Sequence, residues 1–219
     1  MVTNKNIDIV VKILKEEIKK YKEPIVGVLA KATRDPFKVL VSTMISLRTK
    51  DDVTTGASKR LFILAESPAE MIKLADRDIE KAIYPAGFYR VKAKAIKNTS
   101  RTLLEKFNGK VPDSLEELLT LSGVGRKTAN LVLTLGFNKY GICVDTHVHR
   151  ITNRWGYVST KNPEETEFTL RELLPKKHWK IINDLLVTYG QNLCHPVSPK
   201  CSICRLETYC EKKGVTKKR

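Results

Sequence analysis

The first 142 residues contain no cysteine; all five cysteines of the 219-residue chain come later, at positions 143, 194, 201, 204 and 210. That distribution excludes a scaffold stapled throughout by disulfides, and four thiols crowded into one segment suit a metal site. Acidic residues are also scarce, with 24 Asp and Glu against 40 Lys and Arg, which leaves a formal charge of +16 spread along the chain. Such an excess favours a polyanionic partner, with nucleic acid ahead of a membrane surface. No apolar run approaches the roughly 18 to 20 residues a spanning helix needs, and the start, MVTNKNIDIVVKILKEEIKKYK, is amphipathic and carries acidic residues. A soluble, intracellular protein without a secretion signal is expected. Almost nothing alternates with a period of two, which argues against sheets.

Helical spacing is what the chain does have. Ile7, Val10, Val11, Leu14 and Ile18 recur at three- and four-residue steps and predict a first helix with one buried face. Similar patterns predict helices over 37–47, 52–65, 68–75, 77–83, 90–107, 114–121, 127–137, 146–154, 164–174 and 178–190, punctuated by Pro36, Pro68, Pro85, Pro112, Pro163 and Pro175. With 42% apolar residues the chain can bury the core of one domain or two small ones, and an all-α fold follows. The run PIVGVLA at 24–30 fits helix or strand, and its context favours helix. The basic end EKKGVTKKR reads as a frayed, solvated tail.

The stretch LSGVGRKTAN, residues 121–130, carries the most chemistry. Ser114 and Glu117 have capping-box spacing and open a helix that Gly123 ends, and helical spacing resumes through Ala129, Val132, Leu133 and Leu135. Gly123 and Gly125 permit positive φ and close backbone approach, so two helices joined by this turn could cradle a phosphate at the second helix's N-terminus; an ordinary helix hairpin with a glycine cap fits equally well. Lys127 follows in the first turn of that second helix, beside Arg126, where the dipole disfavours a cation. Such a lysine can serve as a nucleophilic amine or as a phosphate contact, and spacing alone leaves both open. Farther on, Cys194, Cys201, Cys204 and Cys210 form C-x6-C-x2-C-x5-C, a four-thiolate pattern that accepts zinc or a [4Fe–4S] cluster and leans toward iron–sulfur.

LSGVGRKTAN, followed by VDTHVHR with its aspartate 18 residues after the lysine, resembles the helix-hairpin-helix DNA glycosylases of the endonuclease III branch, and the resemblance runs from Asp35 to Cys210. It implies two helical lobes: a six-helix domain at 29–139 containing the hairpin, and a discontinuous iron–sulfur domain at 1–28 and 140–219. It implies that Lys127 attacks the sugar's anomeric carbon while Asp145 acts as electrostatic and acid–base partner, and that the four cysteines hold a [4Fe–4S] cluster. The implied protein is a prokaryotic, cytoplasmic, monomeric glycosylase and AP lyase that removes oxidised pyrimidines from duplex DNA. Asp145 also reads as the N-cap of the helix carrying Val148 and Ile151.

Two positions depart from the family's pattern. Where the family places a glutamine and a leucine to fill the gap left by the extruded base, this chain has Arg48 in SLRTKDD and Phe88 in AGFYR. Both can still fill space, and Phe88 can equally be read as core. The resemblance gives Asp51 a structural role, capping or orienting the next helix; Cys143 reads as a buried apolar thiol, and Lys92, with Arg90 and Lys94, as an exposed or backbone-contacting cation. The alternatives are a uracil- or thymine-mismatch glycosylase and a non-catalytic iron–sulfur DNA-binding protein.

Overall fold

The computed structural model describes residues 1–21, 26–27 and 35–219. The chain divides into two compact units, Ile25–Lys139 and Met1–Pro24 with Tyr140–Arg219. The expected boundary between residues 28 and 29 lies outside the described residues, as does most of the apolar run at 24–30. In chain order the helices are α1 Ile7–Ile18, α2 Pro36–Ser46, α3 Asp51–Leu64, α4 Pro68–Met71, α5 Asp76–Ile83, α6 Tyr89–Phe107, α7 Leu115–Leu118, α8 Arg126–Leu131, α9 Thr146–Arg154, α10 Pro163–Leu173 and α11 Trp179–Asn192. No strand occurs among the described residues, so the fold is all-α.

Where the sequence suggested starts after a proline at 37 and 164, the helices begin on the proline itself, Pro36 and Pro163. Proline lacks the N–H that the first turn would leave unpaired, and its fixed φ suits that position. Residues just before supply the caps. Asp35 accepts from Phe37 N at 2.8 Å, Ser67 from Glu70 N at 3.3 Å, and Asn162 from Glu165 N at 2.9 Å. Lys50 and not Asp51 holds the N-cap position of α3, without a side-chain bond, while Asp51 is the first helical residue and with Asp52 puts favourable negative charge on the first turn.

In the unit Ile25–Lys139, α2 is enclosed on nearly every side, burying Phe37, Val39, Leu40, Val41, Met44 and Ile45 against α3, α6 and the segment after α8. Each such side chain contributes about 1.5–3 kcal/mol through removal from water. Helix α6 lies on this core with a stripe running through Ala93, Ile96, Thr99, Ser100 and Leu103, and the stripe begins at Lys92. Lys92 is only 8% exposed, which corrects its reading as a surface cation.

In the other unit, Val10, Val11 and Leu14 of α1 join Val148 and Ile151 of α9 and Leu185, Leu186 and Tyr189 of α11 in one apolar cluster. Helices α9 and α11 meet at Gly190, where an added Cβ would collide with the His147 ring and come within 2.9 Å of Arg150 Nη2. Asp8 at the start of α1 bonds Lys177 Nζ at 2.7 Å and His178 Nε2 at 2.6 Å. The basic end is held rather than frayed. Lys213 N donates to Arg154 O at 3.2 Å, Arg219 N to Pro199 O at 2.8 Å, and Ser202 N to Arg219 O at 2.9 Å.

Candidate active site and metal centre

Helix α7 has four residues, shorter than the expected 114–121, with Ser114 accepting from Glu117 N at 3.3 Å and lying 2.7 Å from the Glu117 carboxylate. The chain then turns through Gly123, whose φ of +74° strains any residue with a Cβ. A Cβ there would also sit 3.0 Å from Ala95 Cβ and 3.4 Å from Met44 Cε, so the turn is seated directly on α6 and α2. Thr99 Oγ1 fastens it from below, donating to Ser122 O at 2.8 Å. Gly125 differs from expectation: its φ is −96°, an ordinary extended value, and a Cβ there would meet nothing within 4 Å.

Helix α8 follows, burying Thr128, Ala129, Asn130 and Leu131 while Lys127 remains exposed and Arg126 half-buried. Asn130 Nδ2 donates to Arg126 O at 3.0 Å, bracing the first turn from within. In place of an α-helix to 137, the chain widens into a π-helical turn over Val132–Gly136, with Thr134 Oγ1 donating to Leu131 O at 3.1 Å.

The structure brings Arg48 and Phe88 together. The guanidinium carbon lies 5.7 Å from the phenyl centroid, a cation–π distance, and Phe88 is 63% exposed, so it is not core. Both have left-handed backbones, with φ of 52° and 58°. Lys92 Nζ, which sequence reading missed in this role, donates to Ile45 O at 2.7 Å, Leu47 O at 2.5 Å and Thr49 Oγ1 at 2.8 Å. Burial lowers its pKa to about 8. A signal for it was present: counting back four from Ile96 along the buried stripe lands on Lys92.

In the other unit, Asp145 caps α9, its Oδ1 accepting from His147 N at 2.8 Å and Val148 N at 2.9 Å. This pair of hydrogen bonds to one oxygen fixes the carboxylate's orientation at the helix start. Cys143, two residues earlier, is buried as expected.

Cys194, Cys201, Cys204 and Cys210 line one apolar pocket with Trp155, Leu193 and the stem of Arg154. Donors already face the sulfurs: Arg154 Nη1 lies 3.3 Å from Cys194 Sγ, Lys212 N 3.3 Å from Cys210 Sγ, and Tyr189 Oη 2.8 Å from Cys204 Sγ. Burial raises the Cys204 and Cys210 thiols, and crowding by the neighbouring sulfurs adds to it. Among the described residues, no three His, Cys, Asp or Glu side chains converge closely enough to grip a single ion. A shared apolar pocket with N–H and O–H donors fits a larger group held by four thiolates. The flanking Arg205 is drawn away, to Glu16 at 3.0 Å.

A model of the HhH-GPD superfamily base excision DNA repair proteins matches residues 41–176. Over 177 residues the chain is 52% identical to endonuclease III of Thermotoga maritima, spanning 81% of this chain and 83% of that protein. It is 45% identical over 183 residues to endonuclease III homolog 2, chloroplastic, of Arabidopsis thaliana, spanning 80% of this chain and 47% of the relative, and so about half the length of that plant protein. The solved structure of a trapped endonuclease III–DNA covalent intermediate, an estranged-adenine complex, matches with a TM-score of 0.86 at 32% identity over 97% of both chains. No helix among the described residues is long and apolar enough to cross a membrane. The chain therefore belongs to the endonuclease III family of the HhH-GPD superfamily, the DNA glycosylases and AP lyases of base excision repair.

Proposed function

We propose that this protein excises oxidised pyrimidines from duplex DNA and then cleaves the strand, with Lys127 as the nucleophile. The unprotonated Nζ attacks the anomeric carbon as the bond to the base breaks, and Asp145 stabilises the positive charge that develops on the sugar. One of the amine's two protons offsets the charge of the departing base, the ring oxygen takes up a proton as the ring opens, and the nitrogen lone pair closes onto the anomeric carbon as a protonated Schiff base. Removal of a C2′ proton then expels the 3′ phosphate, and water releases the sugar and restores the amine. The observation that carries this reading is Lys127 exposed on α8 directly after a turn that the core pins from behind. Gly123, Gly125 and Arg126 hold the backbone phosphate, and the open space above Gly125 suits it.

Residues 29–139 form the hairpin domain in this reading, and 1–28 with 140–219 the iron–sulfur domain. Cys194, Cys201, Cys204 and Cys210 would hold a [4Fe–4S] cluster, which stabilises the loop they bound and takes no part in bond breaking. The protein acts as a monomer in a prokaryotic cytoplasm. Arg48 and Phe88 occupy the gap left by the extruded base.

Borohydride added during reaction with an abasic-site duplex tests the nucleophile. A covalent adduct is expected, and its loss in Lys127→Ala; no adduct, or one undiminished in that variant, overturns the proposal. Iron, sulfide and zinc quantified in anaerobically purified protein test the cluster, and zinc without iron overturns that part. A lesion panel decides substrate class, with preference for uracil or thymine opposite guanine over oxidised pyrimidines counting against it.

A further inference from the structure

Arg48 and Phe88 are 40 positions apart in sequence, yet both stand in left-handed backbone and touch. That conformation costs a residue with a side chain about 1–2 kcal/mol and persists only where the surroundings impose it. Gly87 is one imposing element: a Cβ there would sit 2.6 Å from the Arg48 carbonyl oxygen, so the two loops pack backbone to backbone. Gly87 N also donates to Thr49 Oγ1 at 3.1 Å.

Lys92 is the other. Its three acceptors, Ile45 O, Leu47 O and Thr49 Oγ1, match the three protons of an ammonium, and all lie at the end of α2 or in the loop carrying Arg48. The Thr49 hydroxyl is equally used up, accepting from Lys92 and Gly87 and donating to Leu47 O at 3.2 Å. Lys92 itself sits one turn into α6, the helix that Phe88 opens, with Lys92 N donating to Phe88 O at 3.0 Å. A buried ammonium facing only neutral oxygens is an expensive way to fill core space that a methionine would fill more cheaply.

From this geometry we infer that Lys92 is a positioning residue: it ties the Arg48 loop to the Phe88 loop so that both side chains enter the duplex as one rigid wedge. The inference rests on the reading that these two side chains fill the gap, and it adds what makes them act together. Extruding a paired base costs a few kcal/mol, and a wedge whose parts are already fixed spends none of its insertion energy on ordering itself.

The test uses the whole, cluster-loaded protein carrying Lys92→Met, Lys92→Arg, Thr49→Val, Phe88→Ala or Arg48→Ala. Single-turnover excision of a damaged pyrimidine is compared with cleavage of a duplex whose site is already abasic, where no base must be unpaired. Fluorescence of 2-aminopurine placed beside the lesion reports unstacking. Lys92→Met and Thr49→Val should slow excision by about tenfold or more, slow abasic-site cleavage by less than about threefold, and reduce the fluorescence rise, with Lys92→Arg recovering part of the loss. Equal loss in both reactions would mark Lys92 as a general support and overturn the inference. Wild-type excision by Lys92→Met and Thr49→Val, with Phe88→Ala slowed, would overturn it while leaving gap filling intact. Undiminished excision in both Phe88→Ala and Arg48→Ala would remove gap filling itself. Should Lys92→Met not fold, Thr49→Val, which removes two of the bonds joining the loops and keeps the ammonium, decides alone.

Discussion

Gly123 and Gly125 stand two apart and answer to different constraints. Gly123 needs its missing Cβ for conformation and for packing on Ala95, so Gly123→Ala should destabilise by about 1–3 kcal/mol, read as a lowered midpoint in urea. Gly125 needs it for neither, so Gly125→Ala should leave that midpoint unchanged while weakening affinity for abasic-site DNA. Equal midpoints but unchanged affinity would remove Gly125 from the DNA contact. Asp145 offers a similar separation, since it both caps α9 and is proposed to act on the sugar. Asn caps as well as Asp, so Asp145→Asn should keep stability and lose excision, whereas Asp145→Ala should lose excision and about 1 kcal/mol besides. At this scale the sequence conveyed residue types and little of their surroundings. Lys127 and the cysteines stood out because their patterns are unusual, while Lys92 looked like any lysine until the helix was closed and its face assigned.

Helix starts were placed to within about a residue because their marks are local: Ser114 was read as a cap, and Asp35, Ser67 and Asn162 prove to cap in the same way, each through its own side chain. Helix ends and interiors were less so. The π turn at Val132–Gly136 follows a stretch whose spacing suits an ordinary α-helix, and the sequence pattern carries no mark of it. Close crossings were also hidden, because a glycine inside a helix looks like a weakness until its neighbour is known. Gly190→Ala should force α9 from α11 and lower the thermal midpoint by several degrees, a shift of about 2–4 °C per kcal/mol for a chain of this size. Lys177 and His178 hold the Asp8 carboxyl below its usual 3.8, Lys177 more strongly. A lowered carboxylate stabilises above its unfolded value and loses that effect as pH falls through the folded one. The midpoint difference between wild type and Asp8→Asn should therefore be present at neutral pH and vanish in strong acid; a difference constant with pH would show that the contact contributes through packing rather than charge.

For the molecule as a whole, the +16 charge sets how binding responds to salt. The logarithm of affinity for duplex DNA should fall linearly with the logarithm of salt concentration, by about 0.9 per phosphate neutralised. Replacing Arg126 with Gln should reduce that slope by about one, and an unchanged slope would take Arg126 out of the phosphate contact. The fold class was readable from absent alternation and repeated helical spacing, because those are averages over many residues. The tail was not, since its anchors at Pro199, Ser202 and Arg154 are backbone groups that no side-chain pattern reveals. The division of the chain also orders events in time. Helix α1 leaves the ribosome before α11, and the apolar partners it shares a cluster with there, Leu185, Leu186 and Tyr189, lie some 170 residues after Val10, Val11 and Leu14. At ribosomal speeds Val10, Val11 and Leu14 would wait roughly 10 to 30 s without that partner while the contiguous unit folds behind them. Throughout that interval the apolar stripe of α1 lacks its α11 partner, and transiently exposed apolar surface of this kind is what holding chaperones bind.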